Sequence, residues 1–549
     1  NIAVNLGLAT QTSVKCHADR VVNAFFLVIF HRGELIVTRL HFDMASRASA
    51  ESTTSMLERN VVPDGDIQNA LARLGFIGFV HRQKRDFWHG IAFLARLAGL
   101  GNGFFNNQIG QSPRQSAQFV AGLPNPIRIV AGNRSRFGRG QRASIQEVMQ
   151  RSVMFDADAV RIDGRMIQVG DHWVADFASC NYLGFDLDEE IIASVEPALR
   201  EWGVHPSWCR LVASPHLYAR CEEAIATLLG AEGFLVLPTV TLVHIGVIPA
   251  LAGKDAVLFL DKFAHMTMYQ AAKMARDSGS TLVSFPQDDY ARLEELLHEH
   301  RAATKKIVLV DGVYSMTGRY VDLPRLVTLA REHGAVLYVD DAHGFGVVGE
   351  APTEQMPYGM RGNGIVRHFG LGGYEADHIL YVGGFSKSFS SLAAGIACSA
   401  ATKAFLKAYA TPYDLSGPCP TASLASLLAA IHVNEARGDA LRAELHRLTK
   451  LAVDGLRELG FHVDNDNYFP IVSVACGDNE RLIEASRILF DSGVLLTLGP
   501  YPMVPRGQEE LRITITAANT EAQVRDHLLR GFSRVRDHLT RAGVPPGRP

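Results

Sequence analysis

Short apolar runs alternate with helical patterns through the middle of the chain. The runs are continuous, as in strands of a sheet covered on both faces, and they occur at residues 256–260, 281–285, 307–310, 335–339 and 379–382. Between them, apolar residues recur at helical spacing in 291–300 and 323–333. Repeats of strand, helix and strand predict parallel crossovers and a doubly wound, mostly parallel α/β sheet, which binds its ligands beyond the carboxyl ends of the strands.

The pattern differs on either side of this region. A helical segment at 145–153 and strand-like segments at 161–169 and 172–177 come before it. From about residue 421 a smaller α+β pattern follows, with predicted helices at 440–459, 479–491 and 520–540 and predicted strands at 461–463, 470–474, 494–498 and 511–516. We therefore predict an N-terminal segment over 141–185, a large domain over 186–420 and a small C-terminal domain over 421–549.

Residues 1–140 have a different composition from the rest of the chain. They are rich in Arg, poor in Lys and in acidic residues, and interrupted by clusters of Gly, Asn, Ser and Gln. We expect an extension of unknown fold over residues 1–140, either poorly ordered or made of residues upstream of the true start. An interaction arm and an organelle presequence are the alternatives that this composition leaves open.

The composition of the whole chain excludes several classes of protein. With 549 residues, 47% of them hydrophobic, the chain can bury a large core. Its net charge of -3 gives no general attraction for nucleic acid, and its apolar runs are too short to form a transmembrane segment. The seven cysteines are scattered without a Cys-x-x-Cys pair, so we expect a cytoplasmic protein without a zinc site.

Lys387 follows the last predicted strand of the large domain. The residues around it are small, namely Gly383, Gly384, Ser386, Ser388, Ser390 and Ser391. Small neighbours allow backbone and hydroxyl groups to approach a molecule bound beside the amine. The alternative is a solvated loop lysine, and other residues have to decide between the two.

Polar residues at other predicted strand ends favour a bound cofactor. Asp340 follows the strand that ends at residue 339, and a buried carboxylate needs a positive partner, which the protonated ring nitrogen of pyridoxal phosphate would supply. Lys387 would hold the cofactor aldehyde as a Schiff base, His343 and Ser315 would lie near the ring hydroxyl, and His265 would stack on the ring. The structural alternatives are a cap of the following turn for Asp340, a core histidine for His343 and a helix start for His265. No metal site is predicted, because the His-Glu-His run at 298–300 lacks ligand spacing.

Several motifs occur in the order found in the α-oxoamine synthases, and the chain resembles this family over roughly residues 145–540. The family includes 8-amino-7-oxononanoate synthase, 2-amino-3-ketobutyrate CoA ligase, 5-aminolevulinate synthase, serine palmitoyltransferase and the cholera-type autoinducer synthases. The matching segments are Asn-Tyr-Leu-Gly at 181–184, Asp-Gly-Val-Tyr-Ser-Met-Thr-Gly at 311–318, the Asp-Asp-Ala-His-Gly segment within 339–349, Ser386-Lys387, and Leu-Arg-Ile-Thr-Ile-Thr-Ala at 511–517.

The resemblance implies a fold-type I transferase that depends on pyridoxal phosphate. Such an enzyme is a homodimer with its site at the interface, and it joins an amino acid to an acyl thioester, carried by CoA or an acyl carrier protein, with loss of carbon dioxide. The product is an α-amino ketone. An aminotransferase or a carbon-carbon lyase of the same fold is the alternative.

The resemblance also implies a role for individual residues. Lys387 is similar to the Schiff-base lysine, which also acts as base; Asp340 is similar to the partner of the ring nitrogen, His343 to the group near the ring hydroxyl, and His265 to the stacking residue. Arg512 matches the arginine that binds the substrate carboxylate, a role suited to its planar, permanently charged fork. Its structural alternative is an ion pair.

The chain departs from the family where the cofactor phosphate would bind. Many relatives have Ser-Gly-x-x-Ala-Asn where this chain has Pro-Thr-Val-Thr-Leu at 238–242, so Thr239, Val240 and Thr241 are the expected donors of hydroxyls and backbone amides. Gly384 stands where relatives often carry Thr, and Ser386 is expected to substitute for it.

The substrate pocket departs from the family as well. The usual Gly-Ser-Arg segment is replaced by Ser-Trp-Cys-Arg at 207–210, which leaves Arg210 as a second predicted substrate-binding residue. Gly499 stands where several relatives have Arg. We therefore expect unusual substrates.

Overall fold

The computed structural model divides the chain into two compact units, Asn1–Arg136 and Phe137–Pro549. It describes the backbone of residues 12–15, 21–31, 34–41 and 59–62, and it describes residues 139–372, 374 and 378–543. Within these residues, none of the helices is long and apolar enough to cross a membrane.

The described part of the first unit is one antiparallel sheet. Its strands pair in the order β1-β2-β3-β4. They are β1 (Thr12–Lys15), β2 (Val21–His31), β3 (Glu34–His41) and β4 (Arg59–Val62). Since the rest of residues 1–138 lies outside the described residues, the predicted extension of unknown fold stays a prediction.

The second unit contains strands from both ends of its sequence. In chain order they are β5 (Ala159–Asp163), β6 (Met166–Val169), β7 (His172–Phe177), β8 (Gly233–Leu237), β9 (Ala256–Asp261), β10 (Thr281–Phe285), β11 (Lys305–Asp311), β12 (Val336–Asp340), β13 (Ile379–Gly384), β14 (Ala394–Cys398), β15 (Ile471–Ala475), β16 (Val494–Gly499) and β17 (Glu510–Thr514).

Helices connect and cover these strands. They are α1 (Arg139–Arg151), α2 (Glu189–Ala193), α3 (Val195–Trp202), α4 (Leu217–Leu229), α5 (Val240–Ala252), α6 (Met266–Asp277), α7 (Tyr290–Glu299), α8 (Leu323–His333), α9 (Gly364–His368), α10 (Ala400–Tyr409), α11 (Thr411–Leu415), α12 (Thr421–Glu458), α13 (Asn479–Phe490) and α14 (Arg530–Arg541), with a 3-10 turn at Phe185–Leu187 and a π-helical segment at Gln523–Leu529.

The large sheet has the order β10-β9-β11-β12-β13-β14-β8. The pairs from β10 to β13 are parallel, whereas β14 runs antiparallel to both of its neighbours. This confirms the predicted α/β class with a mostly parallel sheet. The prediction lacked β8 and β14; β14 is rich in Ala and Gly, so its apolar signal is weak.

Both faces of the large sheet are buried, as its continuous apolar strands predict. In β8, Phe234 and Val236 pack into one hydrophobic core, and Leu235 and Leu237 pack into the other. The alternation follows from the two-residue period of a strand. Helices α5 and α6 lie on the second of these faces, where Val243 and Met268 are fully buried.

A second sheet joins the two ends of this unit. Its order is β15-β17-β16-β7-β6-β5, and β16 pairs with β7 in parallel. Because β16 lies between β7 and β17, residues 178–184, which follow β7, lie near the side chains of β17. The predicted strand at 461–463 is wrong: residues 461–465 form no strand, although the apolar side chains of Phe461 and Val463 are buried.

Candidate active site

Asp340 ends strand β12 and is buried, with 5% of its surface exposed. Its Oδ1 accepts a hydrogen bond from the amide of Ala342 at 3.0 Å, and its Oδ2 lies 2.9 Å from Nε2 of His244. Burial acts to raise the pKa of Asp340, but His244 and the positive charge of Lys387 outweigh burial and lower the pKa to about 2. The carboxylate is therefore ionised at neutral pH.

His244 was not predicted from the sequence. It lies on α5, is fully buried, and bridges Asp340 to the hydroxyl of Tyr338, which is 3.0 Å from its Nδ1. The one signal in the sequence is a single histidine within the apolar helix of residues 240–252. The sequence does not distinguish this histidine from one with a purely structural role, because its partner Asp340 lies 96 residues away.

Lys387 lies in the loop between β13 and β14, and hydroxyl groups fasten this loop to its surroundings. Ser388 donates to the carbonyl of Phe345 at 2.7 Å, and Ser390 donates to Oδ1 of Asn181 at 3.1 Å. Burial lowers the pKa of Lys387, and the negative charge of Asp340 opposes that shift. The small residues around the lysine thus hold it in place, and its amine is neutral more often than that of a surface lysine.

His343 follows Asp340 by three residues and contacts the segment after β7. Its Nδ1 lies 2.7 Å from the hydroxyl of Tyr182, which the sequence did not identify as a site residue. Burial, reinforced by the positive charges of Lys387 and Arg512, holds the pKa of His343 well below its ordinary value. The imidazole is therefore neutral at physiological pH and can exchange a hydrogen bond without carrying charge.

His265 caps helix α6 and is held at the end of a third strand. Its amide donates to Oδ1 of Asp311, the last residue of β11, at 3.0 Å. Its Nδ1 lies 2.7 Å from the hydroxyl of Thr267. The helix start that was considered for His265 is thus confirmed, and its ring-stacking role stays a prediction. The carboxyl ends of β11, β12 and β13 bring Asp311, Asp340 and Lys387 to one edge of the sheet.

Arg512 lies on β17 and is 8% exposed. Its Nη2 donates to the sulfur of Cys180 at 3.6 Å, whereas its buried Nε has no hydrogen-bond partner in the described part of the chain. None of the described carboxylates forms a salt bridge with Arg512; Glu510, two residues earlier, is hydrogen-bonded to the hydroxyl of Ser473 instead. A thiol is a weak acceptor, so this guanidinium has donors available for a carboxylate ligand.

The start of α5 faces the end of β13. Thr239 caps the helix by accepting a hydrogen bond from the amide of Leu242 at 3.2 Å. The amides of Val240 and Thr241 belong to the first turn, where a helix offers no carbonyl partner. A Cβ atom at Gly384 would lie 2.8 Å from Cγ2 of Val240. This close approach explains why the position takes glycine instead of threonine.

Three further predicted residues are less closely tied to this group. Ser386 is exposed, and Ser315 is half-buried in the turn after β11. The guanidinium of Arg210 is occupied by the fold: it donates to the carbonyl of Val236 at 2.5 Å and to Glu222 at 3.0 Å, and it stacks on the ring of Tyr218. The cofactor role of the two serines and the substrate role of Arg210 stay predictions.

The donors and acceptors of this site fit pyridoxal phosphate. An ionised carboxylate offers about four acceptor positions, and two hydrogen bonds to Asp340 are present, so the carboxylate can accept another from a ring nitrogen. The start of α5 supplies amide donors suited to a phosphate, and Lys387 supplies an amine of lowered pKa suited to an aldehyde. Among the described residues, no cluster of His, Cys, Asp and Glu could hold a metal ion.

Comparisons with known proteins agree with this arrangement. The family model described as aminotransferase class I and II matches residues 174–530, which is well over half of the chain. A similar curated relative is the 8-amino-7-oxononanoate synthase of Geobacter sulfurreducens, which is 33% identical over 348 residues, 63% of this chain and 85% of the relative.

Solved structures show the same fold. A structure of SPT with PLP has a TM-score of 0.67 and 24% identity, and the match covers 73% of this chain and 98% of that one. The serine palmitoyltransferase of Sphingomonas wittichii has a TM-score of 0.65 and 25% identity, with 71% of this chain and 94% of that one covered.

Proposed function

Because the chain belongs to the aminotransferase class I and II family and, within it, to the α-oxoamine synthases, we propose that it condenses an amino acid with an acyl thioester. The reaction releases carbon dioxide and gives an α-amino ketone, with pyridoxal phosphate as cofactor. The observation that supports the proposal is that Asp340 and Lys387 lie at one edge of the large sheet, with Arg512 of the second sheet close enough to influence the pKa values of Lys387 and His343.

Pyridoxal phosphate supplies, when bound, an electron-accepting pyridinium ring that stabilises negative charge at the α-carbon of an attached amino acid. Asp340 would hold the proton on the ring nitrogen, because its carboxylate is ionised and oriented by two hydrogen bonds. His343 would hydrogen-bond near the ring hydroxyl as a neutral imidazole, with its other contact made to Tyr182.

Lys387 has two proposed tasks. It would bind the cofactor aldehyde, and once an amino acid has displaced it, its freed amine would remove the α-proton of that amino acid. Both tasks require a neutral amine. Burial lowers the pKa of Lys387, which increases the neutral fraction at working pH.

Arg512 would bind the carboxylate of the amino acid. Within the described residues its Nε is buried without a partner, and its Nη2 donates to the weakly accepting sulfur of Cys180, so a carboxylate would gain charge-assisted hydrogen bonds there. His265 would stack on the ring and assist at the thioester carbonyl. Arg210 stays a proposed substrate residue. Because its guanidinium already donates to Val236 and Glu222, we propose that it acts by positioning neighbouring residues rather than by direct contact with the substrate.

The phosphate of the cofactor would bind at the start of α5. Thr239, Val240 and Thr241 would supply the donors, with Gly384 allowing the close approach of β13 to this turn and Ser386 adding a hydroxyl. Ser315 would complete the contacts near the ring hydroxyl.

We also propose a homodimer with the site at its interface. An exposed apolar surface is formed where residues 204–212 meet residues 409–418, which are joined by a hydrogen bond between His205 and the carbonyl of Pro418. Its members include Val204, Trp208, Leu211, Val212, Tyr409 and Leu415, with Val212 79% and Leu415 76% exposed. Such a patch on one chain is typical of a protein interface. Light scattering after size-exclusion chromatography should give the mass of a dimer. Val212→Glu should weaken this dimer, whereas Val160→Glu, which changes an exposed apolar residue outside the patch, should not.

We propose a cytoplasmic location as well. Among the residues that the structure describes, Cys180, Cys209, Cys221, Cys419 and Cys476 are free thiols, as a reducing compartment maintains them. Fractionation of the producing cells with an antibody to the full chain tests this location.

The central experiment combines spectroscopy with product analysis. The purified chain should take up pyridoxal phosphate, show a visible absorption band and lose that band on borohydride reduction. Amino acids that perturb the band would then be incubated alone and with acyl-CoA or acyl carrier protein thioesters. Release of carbon dioxide only when both substrates are present supports the proposal. Transamination or cleavage with the amino acid alone would instead show an aminotransferase or a lyase.

A further inference from the structure

His244 connects the proposed phosphate site to the carboxylate of Asp340. It lies on α5 four residues after Val240, and residues four apart share one face of a helix. The first turn of α5 approaches β13 at Gly384, while His244, one turn further on, reaches Oδ2 of Asp340 at 2.9 Å. One rigid element therefore carries both contacts.

The partners of His244 come from a single strand. Tyr338 and Asp340 are two residues apart on β12, so their side chains point to the same face of the sheet, toward α5. The hydroxyl of Tyr338 is 3.0 Å from Nδ1 of His244, and both side chains are completely buried. No rearrangement of one group is possible without disturbing the others, because the interior around them is packed.

The ionised carboxylate fixes the direction of the hydrogen bond between His244 and Asp340. An ionised carboxylate only accepts hydrogen bonds, so Nε2 of His244 must carry the hydrogen that faces Asp340. Burial raises the pKa of Tyr338 well above its ordinary value, so its hydroxyl keeps its hydrogen and can donate to Nδ1. In this arrangement the Tyr338 hydroxyl donates to Nδ1 of His244, and Nε2 of His244 donates to Oδ2 of Asp340. Both ring nitrogens of His244 then have a hydrogen-bond partner.

We propose that His244 is a positioning residue, which fixes the orientation of the Asp340 carboxylate and keeps it ionised for the ring nitrogen of the cofactor. The inference rests on the proposed function, since it gives His244 a task only if that cofactor binds. Without the donor at Nε2, Asp340 would keep the cost of burial and lose the hydrogen bond that offsets it.

Other charged groups near Asp340 contribute to its state, so a pH readout has to be interpreted with them in mind. Lys387 and His265 are basic and favour the ionised form of Asp340. Asp311 and Asp341 are carboxyl groups that oppose it, and Tyr338 stays neutral. Variants of His244 leave all of these residues in place, so a shift between variants reports on His244 itself.

The test compares cofactor binding in full-length variants. Apo-protein is titrated with pyridoxal phosphate, and the pH dependence of the visible band is recorded for wild type, His244→Leu, His244→Gln, His244→Asn and Tyr338→Phe. We expect His244→Leu to weaken binding at least tenfold and to shift the midpoint of the pH titration. His244→Gln should recover affinity to within about threefold of wild type, because its amide nitrogen can take the place of Nε2. Tyr338→Phe removes the hydroxyl beside Nδ1 and leaves Nε2 of His244 in place, so it should weaken binding less than His244→Leu does.

Two results would overturn the inference. One is a folded His244→Leu protein that binds pyridoxal phosphate and titrates as wild type does. The other, which applies if His244→Leu does not fold, is equal affinity in His244→Gln and His244→Asn, since both variants are polar and only glutamine reaches the position of Nε2. A wild-type protein that takes up no pyridoxal phosphate would overturn the proposed function, and the inference with it.

Discussion

Two sides of the candidate site differ in how completely their polar groups are satisfied. On the cofactor side, Asp340 is held by His244 and by a backbone amide, and His343 is held by Tyr182. On the proposed substrate side, Arg512 has a buried Nε without a partner among the described residues and a thiol as the acceptor for Nη2. Each carboxylate or imidazole named on the first side already has a partner within the protein, and Asp340 keeps an acceptor position for a ring nitrogen. On the second side, a buried donor has no partner among the described residues.

With the proposed roles, this difference corresponds to how long each ligand would stay bound. A resident cofactor is bound best by groups that are already oriented, because no reorganisation then accompanies binding. A substrate exchanges in every cycle, and donors left free for it provide both affinity and selectivity for a carboxylate. The comparison predicts that substitutions on the cofactor side change the affinity for pyridoxal phosphate, whereas substitutions on the substrate side change the KM for the amino acid.

The largest effect should come from Lys387→Ala, which removes the group shared by both sides. We expect turnover to fall by about 10³-fold, because general base catalysis is lost together with covalent attachment. Mass spectrometry after borohydride reduction should find no cofactor adduct, whereas Lys450→Ala, on the exposed surface, should keep both the adduct and the activity. An adduct that persists in Lys387→Ala would place the attachment elsewhere.

Arg512→Lys should separate the two sides most clearly. Lysine keeps the charge but not the planar fork, so we expect the KM for the amino acid to rise about tenfold to a hundredfold, as charge-assisted hydrogen bonds of roughly 1.5–3 kcal/mol imply. The affinity for pyridoxal phosphate should stay unchanged. Arg447→Lys, a surface arginine paired with Glu444, serves as the control. A loss of cofactor affinity in Arg512→Lys would remove the distinction between the two sides.

Asp341 is the exception on the cofactor side. Its Oδ2 accepts hydrogen bonds from the amide of Ile365 and the hydroxyl of Tyr381. Among the described residues, its buried Oδ1 accepts no hydrogen bond of normal geometry, although the backbone of Gly344 lies near the carboxyl group. Burial raises its pKa to about 7 from 3.8 in the unfolded chain, so its contribution to stability is complete below about pH 4 and is lost as the pH rises through 7.

Asp341→Asn removes this titration. Relative to wild type, the variant should therefore gain at least about 1.4 kcal/mol of unfolding free energy between pH 5 and pH 8, which corresponds to one pKa unit. Urea unfolding at the two pH values measures the difference. If the gap between the two proteins is the same at both pH values, Asp341 does not change its protonation in this range.

The smallest effect is expected for Cys180→Ala. The sulfur accepts one weak hydrogen bond from Arg512, so its loss should change the KM for the amino acid by no more than about threefold and leave kcat unchanged. Steady-state kinetics over a range of amino acid concentrations measures both constants. A large fall in kcat would mean that the thiol takes part in the reaction rather than lining the carboxylate site.

Much of the fold followed from local patterns. The continuous apolar runs located β9 to β13, and the spacing of leucines located α7 and α8. The failures have local causes too. The Ala- and Gly-rich β14 has little apolar signal, and the apolar residues Phe461 and Val463 are buried without strand pairing. The long helix Thr421–Glu458 was predicted only in its second half.

The sequence by itself determined the chemistry-bearing residues at strand ends, since Asp340 and Lys387 each follow an apolar run that fixes where the residue lies along its strand. Only the tertiary structure decided their partners. His244 is 96 residues from Asp340, and Cys180 is 332 residues from Arg512, so no periodicity relates them. Packing α5 on β12 and pairing β7 with β16 bring these groups together, because contacts between distant segments depend on how elements pack and not on the pattern within any one of them.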